Sequence, residues 1–262
     1  VQTSAEVCYG TNDLVRTGQM NEDQEFLYKY SACPSCGACQ YMGTASTMQS
    51  MAEALGMSLP GNAVIPSSGP LLHLASQAGA QMGVLLERNL RPKDIMTRAA
   101  FENAMLVHAA IAGSTNILLH LPAVAAQAGI RLTLSDFASA NRTTPVLCSV
   151  MPSGKWPTRI FWYAGGIPAI LRELKNDLDL SAMTVTGKTV GENLYDLEQN
   201  GYFAEHERYL SNFNLKIRDV IRPCRDPFEP QGGIAVLYGN IAPDGAVVKR
   251  AAVPADMQTV TG

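Results

Sequence analysis

The fold is decided by the stretch SACPSCGACQYMGTASTMQSMAEALGMSLPG at residues 31–61. It places Cys33, Cys36 and Cys39 close together and then passes directly into a helical pattern. Two thiolates at CxxC spacing can hold one metal ion or cluster, and Pro34 and Gly37 keep the segment turned. The third, Cys39, comes just before the helix, where unpaired N–H groups favour a negative thiolate.

The helix that follows the cysteines is well signalled. Apolar residues recur at positions i, i+3, i+4 and i+7, namely Met48, Met51, Ala52 and Leu55. Thr44 or Ser46 can cap its start, and Gly56 supplies the C-terminal stop. We expect the helix to pack its apolar side inward and so to fix the direction in which the cysteine loop points.

The cysteine cluster by itself leaves several interpretations open. Clustered cysteines in an intracellular chain can be small buried residues, and CxxC can be a redox pair. A zinc module on Cys33, Cys36 and Cys39 is another alternative, although no second CxxC or paired histidine motif completes four ligands. A non-catalytic module of this kind is the rival from another functional class.

Four motifs, taken together, resemble one enzyme family. They are CPSCGACQYMGTASTMQSMAEALGMSLPG, AFENAMLVHAAIAGSTNILLHLPAVA, YAGGIPAILREL and GGIAVLYGNIAPDGAVVK. The chain resembles the iron–sulfur dehydratases, the family of dihydroxy-acid, phosphogluconate and sugar-acid dehydratases. Its opening stretch and GKWPTRIFWYAGG are most similar to the branch that dehydrates aldonic acids such as D-xylonate.

The resemblance implies a hydro-lyase that removes water from a 2,3-dihydroxy sugar acid to give a 2-keto-3-deoxy acid. It implies a 2Fe–2S cluster that acts as Lewis acid on the C3 hydroxyl, and a divalent cation, normally Mg²⁺, that holds the carboxylate and the C2 hydroxyl. Cys39, immediately before QYMGTAS, occupies the family's ligand position, which leaves Cys33 and Cys36 either as thiols that surround the cluster without binding it or as spare thiols. The alternative of the same class is the dihydroxy-acid dehydratase of branched-chain amino-acid synthesis.

A second informative place is the GSTN turn, residues 113–116. Gly113 breaks one helix, while Ser114 and Thr115 can cap the next. A helix start with free N–H groups and two hydroxyls suits a carboxylate, and the resembled family keeps a similar GSTN at this place. We predict that Ser114, Thr115 and Asn116 form part of the substrate pocket wall. An ordinary N-cap inside the core is the alternative.

The predicted fold class is α/β. Residues 1–230 are expected to be part of a helix-rich, three-layer N-terminal catalytic domain, in which residues 201–230 form a charged, proline-spaced surface linker. Residues 231–262 are expected to begin a β-rich C-terminal domain. There, IAVLYGN and AVVKRAAV are joined by IAPDGA, whose Asp-Gly pair is a strong hairpin signal.

Composition narrows the range of partners. The 262 residues carry a net charge of -3 with scattered cations, which gives no reason to expect a nucleic acid partner. No apolar run of about 18 residues and no signal-peptide pattern is present, so we expect a cytoplasmic protein without membrane contact. The expected partner is a small-molecule sugar acid, and the resemblance implies a homo-oligomer when the protein is full length.

The chain begins with Val1 and ends at Gly262, whereas the family it resembles has much longer members. We therefore expect an internal fragment that is inactive alone. The resemblance places the other cluster cysteines and magnesium ligands before Val1, and a base serine and a further metal-binding glutamate after Gly262. The catalytic residues within this chain are accordingly unknown.

Overall fold

A computed structural model describes residues 4–31, 37–67, 69–253, 257 and 259 of the chain. Among them, helices predominate and follow one another with short connections: α1 Ser4–Arg16, α2 Glu22–Ser31, α3 Thr44–Ala54, α4 Gly69–Glu87, α5 Pro92–Ile95, α6 Arg98–Ala110, α7 Ile117–Gln127, α8 Leu134–Thr143, α9 Thr158–Tyr163, α10 Gly166–Glu173, α11 Val190–Gln199 and α12 Tyr202–Ser211. Two short strands, β1 Ala235–Leu237 and β2 Ala246–Val248, lie near the C-terminal end. The helix-rich architecture agrees with a partial α/β domain.

Helix α3 ends where its sequence pattern predicts, but it begins at Thr44, slightly earlier than the predicted caps require. Gly43, in extended backbone, is the residue before its first turn, and Gly56 follows its end with a φ of +76°. The prediction that Thr44 or Ser46 caps the helix is wrong, because no side chain caps it and Thr44 is already helical. The Ser46 hydroxyl donates instead to the carbonyl of Cys39 at 3.1 Å.

The core is built around α3 and α6, which pack on each other and on α10. Side chains such as Met51, Phe101, Phe161 and Ile170 are removed from solvent altogether. Burying an apolar side chain of this size contributes about 1.5–3 kcal/mol, so this layer supplies the rigid base on which the connecting turns rest. Helix α6 is capped by Thr97, whose hydroxyl accepts from the Ala100 N–H.

The predicted hairpin is confirmed. Strands β1 and β2 pair antiparallel, with Ala235 opposite Val248 and Leu237 opposite Ala246. Gly245 of the Asp-Gly pair has a φ of +102°, which a glycine adopts without strain. The hairpin is attached to the helices through Gly232, whose N–H donates to the carbonyl of Asn141 at 2.7 Å.

One prediction for the middle of the chain needs correction. Residues 201–230 are not a surface linker, because α12 lies within them and buries Phe203, His206 and Leu210. The charged residues within this helix, Glu205, Glu207 and Arg208, lie on its exposed side. The segment PVLCSVMPSG, residues 145–154, buries Val146, Leu147, Cys148 and Val150, and among the described residues it pairs only through isolated bridges, such as Cys148 with Ile221.

In the part of the chain that the structure describes, no helix combines the length and the apolar character that crossing a membrane requires.

Candidate active site

The two sequence stretches singled out above meet in the structure. The Asn116 side-chain amide donates to the Thr44 hydroxyl at 2.5 Å, and the Ser114 N–H donates to the Thr47 hydroxyl at 2.9 Å. The GSTN turn is therefore fastened to the first turn of α3. This contact brings residues about seventy positions apart in the chain to one place.

Cys39 is an exposed residue bound to the same first turn of α3. Its backbone carbonyl accepts two hydroxyl hydrogen bonds, one from Ser46 at 3.1 Å and one from Thr158 at 2.5 Å. The Thr158 N–H in turn donates to the carbonyl of Gln40 at 2.9 Å. The backbone at Cys39 is thus fixed by the starts of α3 and α9, while its sulfur remains accessible.

A buried histidine, His108, packs against the GSTN turn and forms a hydrogen bond with it. His108 is removed from solvent, and burial lowers its pKa to about 4, so the ring is neutral near pH 7. Its Nε2 is 3.1 Å from the carbonyl of Ser114, which requires the tautomer with a proton on Nε2. Nδ1 has no hydrogen-bond partner among the residues that the structure describes. His108 is therefore a core histidine.

The close packing of this turn requires a glycine at position 113. A Cβ on Gly113 would lie 2.5 Å from Cδ2 of His108 and 3.1 Å from Cγ2 of Thr47. Just before it, Ala112 has a φ of +46°, an uncommon backbone for a residue with a side chain. Such conformations persist where surrounding contacts hold them, and they concentrate at functional sites.

The expected capping of α7 is not observed. The residue before its first turn is Asn116, and no side chain caps the helix. The Asn116 N–H donates to the Ser114 hydroxyl at 3.3 Å, and the N–H of Ile117 donates to the Ser114 carbonyl at 3.2 Å. Because these amides are already engaged, a ligand here would meet side chains rather than free helix N–H groups. Ser114 and Thr115 are half-buried, and Asn116 is exposed.

Sequence reasoning missed Lys249, the residue that follows β2 of the C-terminal hairpin. Lys249 is partly buried, and desolvation lowers its pKa. Its charge acts on the buried His108 and on Cys148, whose pKa burial raises to about 12. The sequence signal was a lone lysine at the end of the apolar run AVVK, which also fits an exposed strand end.

Metal-ligating side chains are sparse in the described ranges. Cys33 and Cys36 lie outside the described residues, and within those ranges no three His, Cys, Asp or Glu side chains come together as a metal site. Cys224 is not a candidate metal ligand here, because its thiol donates a hydrogen bond to the carbonyl of Glu173. An accessible thiol on a fixed backbone suits Cys39 as one ligand of a metal or cluster whose other ligands come from elsewhere.

Known proteins align with almost the whole chain. The family model for the N-terminal region of dihydroxy-acid/6-phosphogluconate dehydratases matches residues 2–193, and the model for the C-terminal region matches residues 219–262. A dihydroxy-acid dehydratase of Moorella thermoacetica is 46% identical over 251 residues, 95% of this chain and 43% of the relative. Dihydroxy-acid dehydratases of Solidesulfovibrio magneticus and Oleidesulfovibrio alaskensis are 45% and 43% identical, over 94% and 95% of the chain. The chain spans less than half the length of these relatives.

Proposed function

Because the chain belongs to the dihydroxy-acid/6-phosphogluconate dehydratase family, we propose that it forms part of a hydro-lyase acting on a 2,3-dihydroxy carboxylic acid. The reaction removes the proton at C2 and the hydroxyl at C3, and the resulting enol becomes the 2-keto acid. The observation that carries the proposal is the contact between the GSTN turn and the start of α3 beside Cys39.

The relatives change the preferred substrate. The opening motifs predicted the aldonate branch, with D-xylonate as substrate, but the relatives named above are dihydroxy-acid dehydratases. Their identity over nearly the whole chain outweighs a likeness confined to two short segments. The proposed substrate is therefore a branched 2,3-dihydroxy acid, and a sugar acid becomes the alternative.

Each proposed site residue has a physical task. Cys39 supplies one thiolate to an iron–sulfur cluster whose other ligands lie elsewhere in the full-length protein. When bound, the cluster supplies a Lewis acid that makes hydroxide a better leaving group, with a divalent cation such as Mg²⁺ at the carboxylate. Ser114, Thr115 and Asn116 offer hydroxyl and amide groups to the polar end of the substrate. Their fastening to α3 keeps these groups at a constant position relative to Cys39.

The proposed enzyme has two domains, both represented in this chain. Residues 1–230 belong to the catalytic N-terminal domain, and residues 231–262 begin the C-terminal domain, with Gly232 as the point of attachment to the helices. The full-length enzyme acts in the cytoplasm as a homo-oligomer on a small-molecule substrate. The base at C2 and the Mg²⁺ ligands come from outside this chain.

Steady-state kinetics on the full-length parent protein, purified without oxygen, tests the proposal. We expect kcat/KM for a branched 2,3-dihydroxy acid to exceed that for D-xylonate by at least about tenfold, or about 1.4 kcal/mol in transition-state binding. The reverse preference would restore the aldonate assignment. No dehydration of either acid, with stoichiometric zinc and equal damage from Cys33→Ser, Cys36→Ser and Cys39→Ser, would replace the enzyme by a zinc module.

A further inference from the structure

A buried glutamate lies at the far end of α3. The Glu53 side chain is 5% exposed, and each of its carboxylate oxygens accepts a backbone hydrogen bond. Oε1 accepts from the N–H of Gly61 at 2.8 Å, and Oε2 accepts from the N–H of Ala63 at 2.7 Å. The Glu53 carboxylate therefore binds two backbone amides of the loop that follows α3.

A second side chain on the same side of α3 holds the next amide of that loop. Gln49, one turn before Glu53, accepts from the N–H of Val64 through Oε1 at 3.1 Å. Val64 is buried and has a φ of +54°, which is strained for a β-branched residue. A conformation of this kind persists only where its surroundings fix it.

The loop is also held from the opposite side. The indole N–H of Trp162 donates to the carbonyl of Gly61 at 2.8 Å, and a Cβ on Gly61 would lie 3.0 Å from the hydroxyl oxygen of Tyr202. Both backbone polar groups of Gly61 are thus engaged by side chains. The loop, residues 61–67, is clamped between α3 and these aromatic side chains.

This clamped loop reaches the cysteine segment. Pro66 forms an antiparallel bridge with Gly37, and a Cβ on Gly37 would lie 2.8 Å from the backbone N of Ser67. Gly37 is two residues before Cys39. A displacement of residues 61–67 therefore changes the path of the backbone that leads into Cys39.

Glu53 is a costly choice for a purely structural position. Burial raises its pKa to about 7 because desolvation outweighs the hydrogen bonds from the loop amides. Taking a charge out of water is costly, and even buried ion pairs are often replaced by apolar residues without loss of stability. A carboxylate nevertheless has a geometric advantage, since glutamine offers one oxygen and would turn its NH₂ group toward the second amide.

We propose that Glu53 and Gln49 are positioning residues for Cys39, which act by holding residues 61–67 against Gly37. The functional meaning of this inference rests on the proposed role of Cys39 as a cluster ligand. The positioning itself is a property of the polypeptide, so it is measurable without a cluster or turnover.

The test uses the full-length parent protein with Glu53→Gln and a matched control, Glu102→Gln. Glu102 is an exposed carboxylate of α6 whose contact is an ion pair with Arg98 at 2.7 Å. Two properties of the cluster-free protein are measured: hydrogen exchange of the peptide covering residues 58–67, and the rate of alkylation of Cys39, followed by peptide mass spectrometry. The absorption and electron paramagnetic resonance spectra of the reconstituted cluster are then compared.

We expect Glu53→Gln to speed exchange in residues 58–67 by about tenfold or more, because one amide loses its acceptor. We also expect the alkylation rate of Cys39 to change at least about threefold and the cluster spectra to shift, while Glu102→Gln leaves all three unchanged. If Glu53→Gln does not fold, Gln49→Ala provides the same test with a smaller effect, since it releases only Val64. Faster loop exchange with unchanged Cys39 alkylation and unchanged spectra would overturn the inference.

The outcomes separate this inference from the proposed function. If the wild-type protein has no dehydratase activity but Glu53→Gln alters Cys39 alkylation, the positioning role is supported and the enzyme assignment is refuted. If Glu53→Gln and Gln49→Ala keep full dehydratase activity and an unchanged rate of Cys39 alkylation, the enzyme assignment is supported and the positioning role is refuted.

Discussion

The two ends of α3 fasten neighbouring turns in different ways. At its start, neutral hydroxyl groups make the hydrogen bonds. The Ser46 hydroxyl donates to the Cys39 carbonyl, and the Thr47 hydroxyl accepts from the Ser114 N–H. At its end, the buried carboxylate of Glu53 binds the loop amides of Gly61 and Ala63. Hydroxyls are inexpensive to bury once paired, whereas a carboxylate carries a large desolvation cost. The comparison therefore predicts that only the end of α3 responds to pH.

The largest effect is expected from the cysteine at the start of α3. In the full-length parent protein, Cys39→Ser removes a soft thiolate ligand, so we expect loss of the iron–sulfur cluster and of turnover. Iron and sulfide analysis with an activity assay measures this. Cys224→Ser is the matched control, since its sulfur donates to the Glu173 carbonyl away from the site. Equal losses in both variants would show that the assignment of Cys39 is wrong.

The next effect concerns pH at the end of α3. The pKa of Glu53 is raised from 4.5 to about 7, so its contribution to the free energy of unfolding is complete below pH 4.5 and is lost as the pH rises through 7. The loss amounts to about 3 kcal/mol, and Glu53→Gln removes it. Urea unfolding of both proteins between about pH 5 and 8 measures the difference.

A second titratable group near Glu53 does not affect this pH series. Tyr202 is the titratable group that faces Glu53 from α12, and burial raises its pKa further above the range of the experiment. It therefore stays neutral throughout and does not contribute. A wild-type minus variant difference that does not change between pH 5 and 8 would contradict a buried, titrating Glu53.

A smaller effect is expected where the GSTN turn crosses His108. Gly113→Ala places a Cβ against the buried ring, and overpacking of this kind costs about 1–3 kcal/mol. Gly10→Ala is a control, because nothing lies within 4 Å of a Cβ at that position. We expect the melting temperature in thermal unfolding to fall for Gly113→Ala and not for Gly10→Ala. An equal change in melting temperature for the two variants would mean that the turn accommodates the added methyl group.

The smallest effect tests the hydroxyl bond that joins α3 to the GSTN turn. Thr47→Val keeps the shape but leaves the Ser114 N–H without its acceptor, which costs about 1–2 kcal/mol. Thr47→Ser keeps the hydroxyl and isolates the effect of the methyl group. We expect the valine variant to lose more stability than the serine variant, at pH 6 and pH 8 alike. A marked pH dependence would contradict the contrast between the two ends.

The predictable parts of this molecule are those set by local sequence. The end of α3 followed from its apolar period and Gly56, and the hairpin followed from its Asp-Gly pair. The burial of Glu53 could not be predicted, because the period places polar residues on the outside. Its burial depends on a loop ten residues later that folds back to occupy both carboxylate oxygens.

The candidate site shows the same division. Sequence motifs selected Cys39 and residues 114–116, but not the bonds between the GSTN turn and α3, because the partners are 67 and 72 positions apart. The helix in residues 202–211 was missed because its charges and the nearby prolines resemble a linker. In both cases packing between distant segments decides the outcome, and no local pattern reports it.

The central claim is that Cys39 and the GSTN turn belong to one active site, and substrate kinetics tests it most directly. In the full-length parent protein, the double variant Ser114→Ala and Thr115→Val is compared with wild type on a branched 2,3-dihydroxy acid. We expect KM to rise at least about tenfold with unchanged cluster content, because the substrate loses two hydroxyl contacts. An unchanged KM would contradict the claim and leave the turn with a structural role alone.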